Sequence, residues 1–176
     1  MKMISMYIIL ILIFIPSLVF SQESKIEIIK VFHKYEALNH YLMKSFPENS
    51  PTHDAYNNLK HDVEIYSKDH YYPTLNEAKS IICNNRDEKI LLEFFFVLIR
   101  TQSSIDKYST FILGDIFICQ PELFTAEFNK LTKEEKIVIY NIVESGFRNA
   151  TLKKENSINN YSSLNEKLLN LKKGMK

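Results

Sequence analysis

The chain has 176 residues, 45% of them hydrophobic and 24% charged, the balance of one globular domain rather than two or a disordered tail. Its formal net charge is +1, which offers none of the basic field that nucleic-acid binding requires. Only 3 glycines occur (Gly114, Gly146 and Gly174), too few for phosphate-cradling loops and unfavourable for tight hairpins.

The N-terminus reads as an address. Lys2 is followed by an unbroken apolar run over residues 6–15, and then by Pro16. Val19 and Ser21 fit the small-residue rule for a cut after Ser21. The expected organisation is a cleavable signal peptide over residues 1–21 and a single all-helical domain over residues 22–176. An uncleaved anchor is the alternative, but the run falls well short of the ~20 apolar residues that span a bilayer. The expected location is therefore periplasmic or secreted, with no stable membrane span after cleavage.

From residue 24 to residue 46 the apolar positions Ile28, Val31, Phe32, Tyr35, Leu38, Leu42 and Phe46 follow helical spacing. Pro47 and Pro51 then bracket a polar loop. A second helix is expected over residues 52–67, with Tyr56, Leu59, Val63 and Tyr66 as its stripe. Residues 68–73 read as a connection, because Tyr72 precedes a proline. Thr74 and Glu77 match a capping box opening a third helix that ends near Asn85.

The fourth helix, residues 87–101, is apolar nearly all round and should be the centre of the domain. Ser104 is the expected cap of a fifth helix carrying Ile105, Tyr108, Ile112, Leu113, Ile116 and Phe117. Pro121 suits the first turn of a sixth, with Leu123, Phe124 and Phe128 inward. Thr132 and Glu135 form a second capping box ahead of Ile139, Ile142, Val143 and Phe147. Ser163 and Glu166 form a third, ahead of Leu164, Leu168 and Leu171. No segment alternates with a period of two between hairpin turns. The fold class is all-α: six to eight helices in a compact multi-helix bundle or a short helical-repeat array, with the fourth, fifth and seventh supplying most of the core.

The standard catalytic signatures are missing: there is no phosphate loop, dinucleotide fingerprint, nucleophile elbow, H-E-x-x-H helix or C-x-x-C pair. No cofactor, metal or catalytic residue is assigned. All 5 histidines (His33, His40, His53, His61 and His70) lie in the first half, interleaved with tyrosines that include Tyr71 and Tyr72. His33, Glu36 and His40 share one face of the first helix, opposite the Tyr35–Leu42 stripe, and His61 points away from Leu59 and Val63. That face reads as an exposed polar surface or a binding surface. A zinc reading would need His53 or His61 to join, because His33 and His40 stand about 10 Å apart along the helix. Tyr71 and Tyr72 either display their rings to a ligand or cover the end of the core.

Cys83 and Cys119 make an even pair, which an oxidising compartment would bridge; two buried thiols are the alternative. The lysine-rich tail after Ala150 reads as a solvated helix face, and Asn149 and Asn160 match the glycosylation pattern. The leading expectation is an exported, non-catalytic binding or interaction protein of the cell envelope, with a protein partner and no nucleic acid. The rival class is an enzyme, histidine- or metal-dependent, using His33, Glu36, His40 and His61. In size, signal, helical build and cysteine pair the chain resembles periplasmic helical immunity proteins that neutralise cell-wall-degrading toxins. The resemblance covers no motif and carries over no residue.

Overall fold

A computed structural model describes residues 2–44, 53–102, 106–153 and 161–175, with side chains placed for 22–44, 56–102, 106–151 and 161–175. The described residues form eight α-helices and no strand: α1 (Lys2–Lys44), α2 (His53–Tyr66), α3 (Tyr72–Asn85), α4 (Glu88–Arg100), α5 (Lys107–Cys119), α6 (Pro121–Asn129), α7 (Lys133–Lys153) and α8 (Tyr161–Lys173). A π-helical turn, Ser67–Tyr71, joins α2 to α3. The architecture is a compact all-α bundle.

α4 carries the helix without a polar face, and it is enclosed as that pattern demands. Ile90, Leu91, Phe94, Phe95, Val97 and Leu98 are all buried, and the helix touches α1, α3, α6 and α7. Asp87 caps it, accepting from the Ile90 N–H at 3.0 Å. Among the described residues α4, α5 and α7 supply about half of the buried apolar side chains rather than most of them. The remainder comes from the inward stripes of α1, α2, α3, α6 and α8, with Tyr71 of the π turn and Leu131 of the α6–α7 link.

The α5–α7 seam depends on two glycines. A Cβ added at Gly114 would sit 2.4 Å from the Gly146 carbonyl carbon, and one at Gly146 would sit 2.1 Å from the Thr110 carbonyl oxygen. The two backbones are therefore in direct contact, closer than any side chain would allow.

Several expected helix starts lie elsewhere. Residues 68–73 are not a connection: the chain passes from α2 into α3 through the π turn, where the Tyr72 N–H reaches back to the Ser67 carbonyl. Pro73 explains the widening. It has no N–H to donate, and its ring would strike a carbonyl one turn back in a regular α-helix. Thr74 is consequently inside α3 and caps nothing; the Glu77 carboxylate instead accepts from the Ser24 hydroxyl of α1. Asp106 rather than Ser104 caps α5, accepting from the Ser109 N–H at 2.7 Å; Ser104 and Ile105 lie outside the described residues. Ser163 is inside α8, which already begins at Tyr161.

The Thr132–Glu135 box is formed in both directions. The Thr132 N–H donates to Glu135 Oε2 at 2.9 Å, and the Glu135 N–H donates to Thr132 Oγ1 at 3.4 Å.

Among the described residues no helix is long and apolar enough to cross a membrane. From Gln22 onward α1 lays Ile28, Phe32, Tyr35, Asn39 and Leu42 inward, one buried residue per turn.

Candidate functional site

The histidine face meets another helix of the same chain. On α1, His33 Nε2 lies 3.4 Å from Glu93 Oε2 of α4, and Arg100 Nη1 of α4 donates to Glu36 Oε2 at 3.0 Å. Glu93 and Arg100 are among the few polar positions of α4, and they fall where its edge runs beside α1. His33 and Glu36 therefore meet α4 along a polar seam rather than forming an open surface, Glu36 in an ion pair with Arg100 and His33 within hydrogen-bond distance of Glu93 and still largely solvent-facing. His40 and His61 are exposed. Among the described residues no three His, Cys, Asp or Glu side chains gather closely enough to hold a metal ion. The side chain of His53 lies outside those described.

Tyr71 is fully buried, so its ring cannot be displayed to a ligand. The π turn directs it inward, where it stacks on Tyr35 with ring centroids 3.7 Å apart and planes 4° from parallel. The edge of Phe32 meets it at 6.0 Å. Tyr72, one residue on, is half-buried and lies against Tyr108 at 4.8 Å.

Asp106 sits at the centre of this aromatic group. Tyr35 donates its hydroxyl to Asp106 Oδ2 at 3.3 Å. Ser109 Oγ donates to the same oxygen at 3.0 Å and lies 3.3 Å from the Tyr71 hydroxyl. One carboxylate thus caps α5 and ties α1 and the π turn to it. The electrostatics follow from the geometry. Burial first, and then the Asp106 carboxylate, push the Tyr35 hydroxyl far above its ordinary range. Burial does the same to Tyr71, and burial followed by Asp106 and Glu64 raises Tyr72. At neutral pH these phenols are locked as neutral O–H groups. They can donate hydrogen bonds and present ring faces.

Beside the cluster lies a cleft of about 210 Å³ between α1, α2 and the start of α5. Its apolar wall is Leu42 and Val63, its aromatic wall Tyr35 and Tyr72, and its charged groups are Lys60, Glu64, Lys68 and Asp106. Wider grooves exist, one of about 530 Å³ between α6 and α8 and one of about 490 Å³ beside Ile26 and Asp87. In both, the opposed charges already pair across the gap, Lys167 with Glu122 and Lys25 with Asp87. Volume alone would choose the wider grooves; the convergence of rings, hydroxyls and unspent charges favours the smaller cleft.

Of the residues singled out from sequence, only Tyr72 lines this cleft. Tyr35 was legible only as part of the core stripe. Lys60, Glu64 and Lys68 follow one another along α2 into the π turn, and no pattern in the letters marks them. Asp106 carried a usable signal, an acidic residue directly ahead of a helical run, but Ser104 competed for the same role.

Away from the cleft, Cys83 of α3 and Cys119 of α5 are joined in a disulfide with Cα atoms 5.7 Å apart. The Gln120 side-chain amide donates to the Cys83 carbonyl at 2.6 Å, so this joint is held twice. No protein-family model, curated protein or solved structure matches the chain.

Proposed function

We propose that the protein is an exported, non-catalytic interaction protein of the cell envelope, and that the cleft between α1, α2 and α5 is where its partner docks. The observation that carries this reading is the unspent charge at the lip of an aromatic cleft. Lys60, Glu64 and Lys68 are exposed and make no ion pair among the described residues, although they follow one another along a single helical face. Tyrosine rings flanked by unpaired charges are the composition of a recognition surface, with apolar area for contact and charge for orientation. The buried Tyr35 ring, stacked on Tyr71 behind it, gives the cleft an aromatic wall for contact. Export is supported by the sequence of the leader and accords with a disulfide between the only two cysteines.

Affinity capture from native envelope extract tests the reading. Immobilised protein retains one dominant protein in stoichiometric amount, and a Lys60→Glu/Lys68→Glu variant loses it. If nothing is retained by the unaltered protein, or retention ignores the double substitution, the reading fails. A cell-wall hydrolase as the captured protein would narrow the function to that of an immunity-type inhibitor.

A further inference from the structure

The cleft has a polarity that names its ligand. Its inner groups are two phenol rings and the Asp106 carboxylate; Lys60, Glu64 and Lys68 are exposed residues at the lip. Asp106 accepts from the Ser109 N–H, the Ser109 hydroxyl and the Tyr35 hydroxyl. A carboxylate has about four lone-pair sites, so one acceptor direction remains. Glu64 adds a second carboxylate on the α2 side. Asp106, Glu64 and Tyr72 line the same cleft. A half-buried ring in a cleft with two carboxylates is attractive to a cation over its π face, the carboxylates accept its N–H donors, and the methylene stem of a long side chain would lie along Leu42 and Val63.

We propose that the cleft receives the cationic head of a lysine or arginine side chain from a protein partner, seated between Asp106 and Glu64 against the ring of Tyr72, with acidic residues of the partner meeting Lys60 and Lys68 at the lip. The proposal rests on the interaction reading above and deepens it. The volume of about 210 Å³ suits one side chain and excludes a folded segment. The mixed charge sets the partner's pattern: a basic residue flanked by acids. A uniformly basic surface would be repelled at the lip, and a uniformly acidic one at the floor.

The test is a titration of the purified, disulfide-bonded protein with Nα-acetyl-arginine amide and Nα-acetyl-lysine amide, followed by the tyrosine ring resonances in NMR. Nα-acetyl-norleucine amide and Nα-acetyl-glutamate amide serve as neutral and acidic controls. The expected result is a saturable shift of the Tyr72 and Tyr35 resonances with the two cations alone, weakened about fivefold in Glu64→Gln and in Tyr72→Leu. Glu64 is exposed, so its replacement leaves the fold intact. Equal shifts with norleucine amide, preference for the glutamate probe, absence of saturation with either cation, or indifference to Glu64→Gln would each overturn the proposal. The interaction reading can fail separately, through loss of partner capture while the cations still bind. Conversely, a captured partner that ignores Glu64→Gln leaves that reading standing and removes this one.

Discussion

Substituting Gly146 by alanine should be among the most damaging one-carbon changes available to this protein. The added Cβ would stand 2.1 Å from the Thr110 carbonyl oxygen, against an ordinary carbon–oxygen contact of about 3.3 Å. The obstruction is backbone, so no rotamer change relieves it, and α5 and α7 must part by roughly 1 Å. A gap of that size forfeits about a quarter to a half of the dispersion energy of each contact it opens. The contacts at risk include those of Leu113, Phe117, Val143 and Phe147, all fully buried or nearly so. Against the loss stands a helix-propensity gain of about 1 kcal/mol for alanine over glycine. The net expectation is destabilisation by about 2–4 kcal/mol, read from urea unfolding followed by far-UV circular dichroism with the disulfide intact. Gly114→Ala should behave alike, and the double variant should fall short of the sum because the two sites touch. Gly174 provides the control: its added Cβ would meet nothing closer than 3.6 Å, and Gly174→Ala should stay within about 0.5 kcal/mol of the parent. A Gly146→Ala protein as stable as its parent would refute the direct-contact account of the seam.

Other consequences are accessible to standard measurements. Replacing Cys83 and Cys119 by serine should lower stability by about 3–4 kcal/mol for a loop with a sequence separation of 36, and dithiothreitol should reproduce the effect on the parent but leave the variant unchanged. Thr132→Ala should cost about 1 kcal/mol, and equal stability would argue against the reciprocal cap. The pH dependence follows from Tyr35 and Tyr71, whose folded pKa values lie above the ordinary 10.0. The unfolded chain releases these protons first, so their contribution is complete below pH 10.0 and is lost as pH rises beyond it. Stability should fall in alkali, with tyrosine ionisation in ultraviolet absorbance coinciding with unfolding; ionisation of all tyrosines in the folded state would contradict the buried cluster.

The fold was legible wherever a helix carried one unbroken apolar stripe. Ile28, Phe32 and Tyr35, the all-round apolar α4, and Leu164, Leu168 and Leu171 all occupy the inner positions that their spacing predicts. The failures have a common cause: a local signal was read where a tertiary contact decides. Tyr72–Pro73 is a sound helix-ending pair in isolation, yet the packing of Tyr71 against Tyr35 holds the chain helical and the π turn absorbs the proline. The Thr74 and Ser163 boxes are valid patterns inside helices that begin earlier. Gly114 and Gly146 meet across two helices, and neither helix's periodicity announces it.

The candidate site was less legible than the fold. The spacing of His33 and Glu36 predicts an exposed or binding face, and nothing in α1 reveals that Glu93 and Arg100 of α4 meet them there. Tyr71 and Tyr72 are adjacent in the chain and opposite in fate, because consecutive residues of a helix differ by about 100° in direction. The cleft itself is assembled from three separated segments, and only the folded chain brings Lys60, Tyr72 and Asp106 to one place.

The central claim, that a protein partner docks at this cleft, is tested most directly by site-specific photocrosslinking in the native envelope. A benzophenone side chain is placed in turn at Lys60, at Lys68 and at Lys133, an exposed position that does not line the cleft. The account predicts one discrete crosslinked protein from Lys60 and Lys68 and none from Lys133. A product that appears equally from all three positions, or from Lys133 alone, would contradict it.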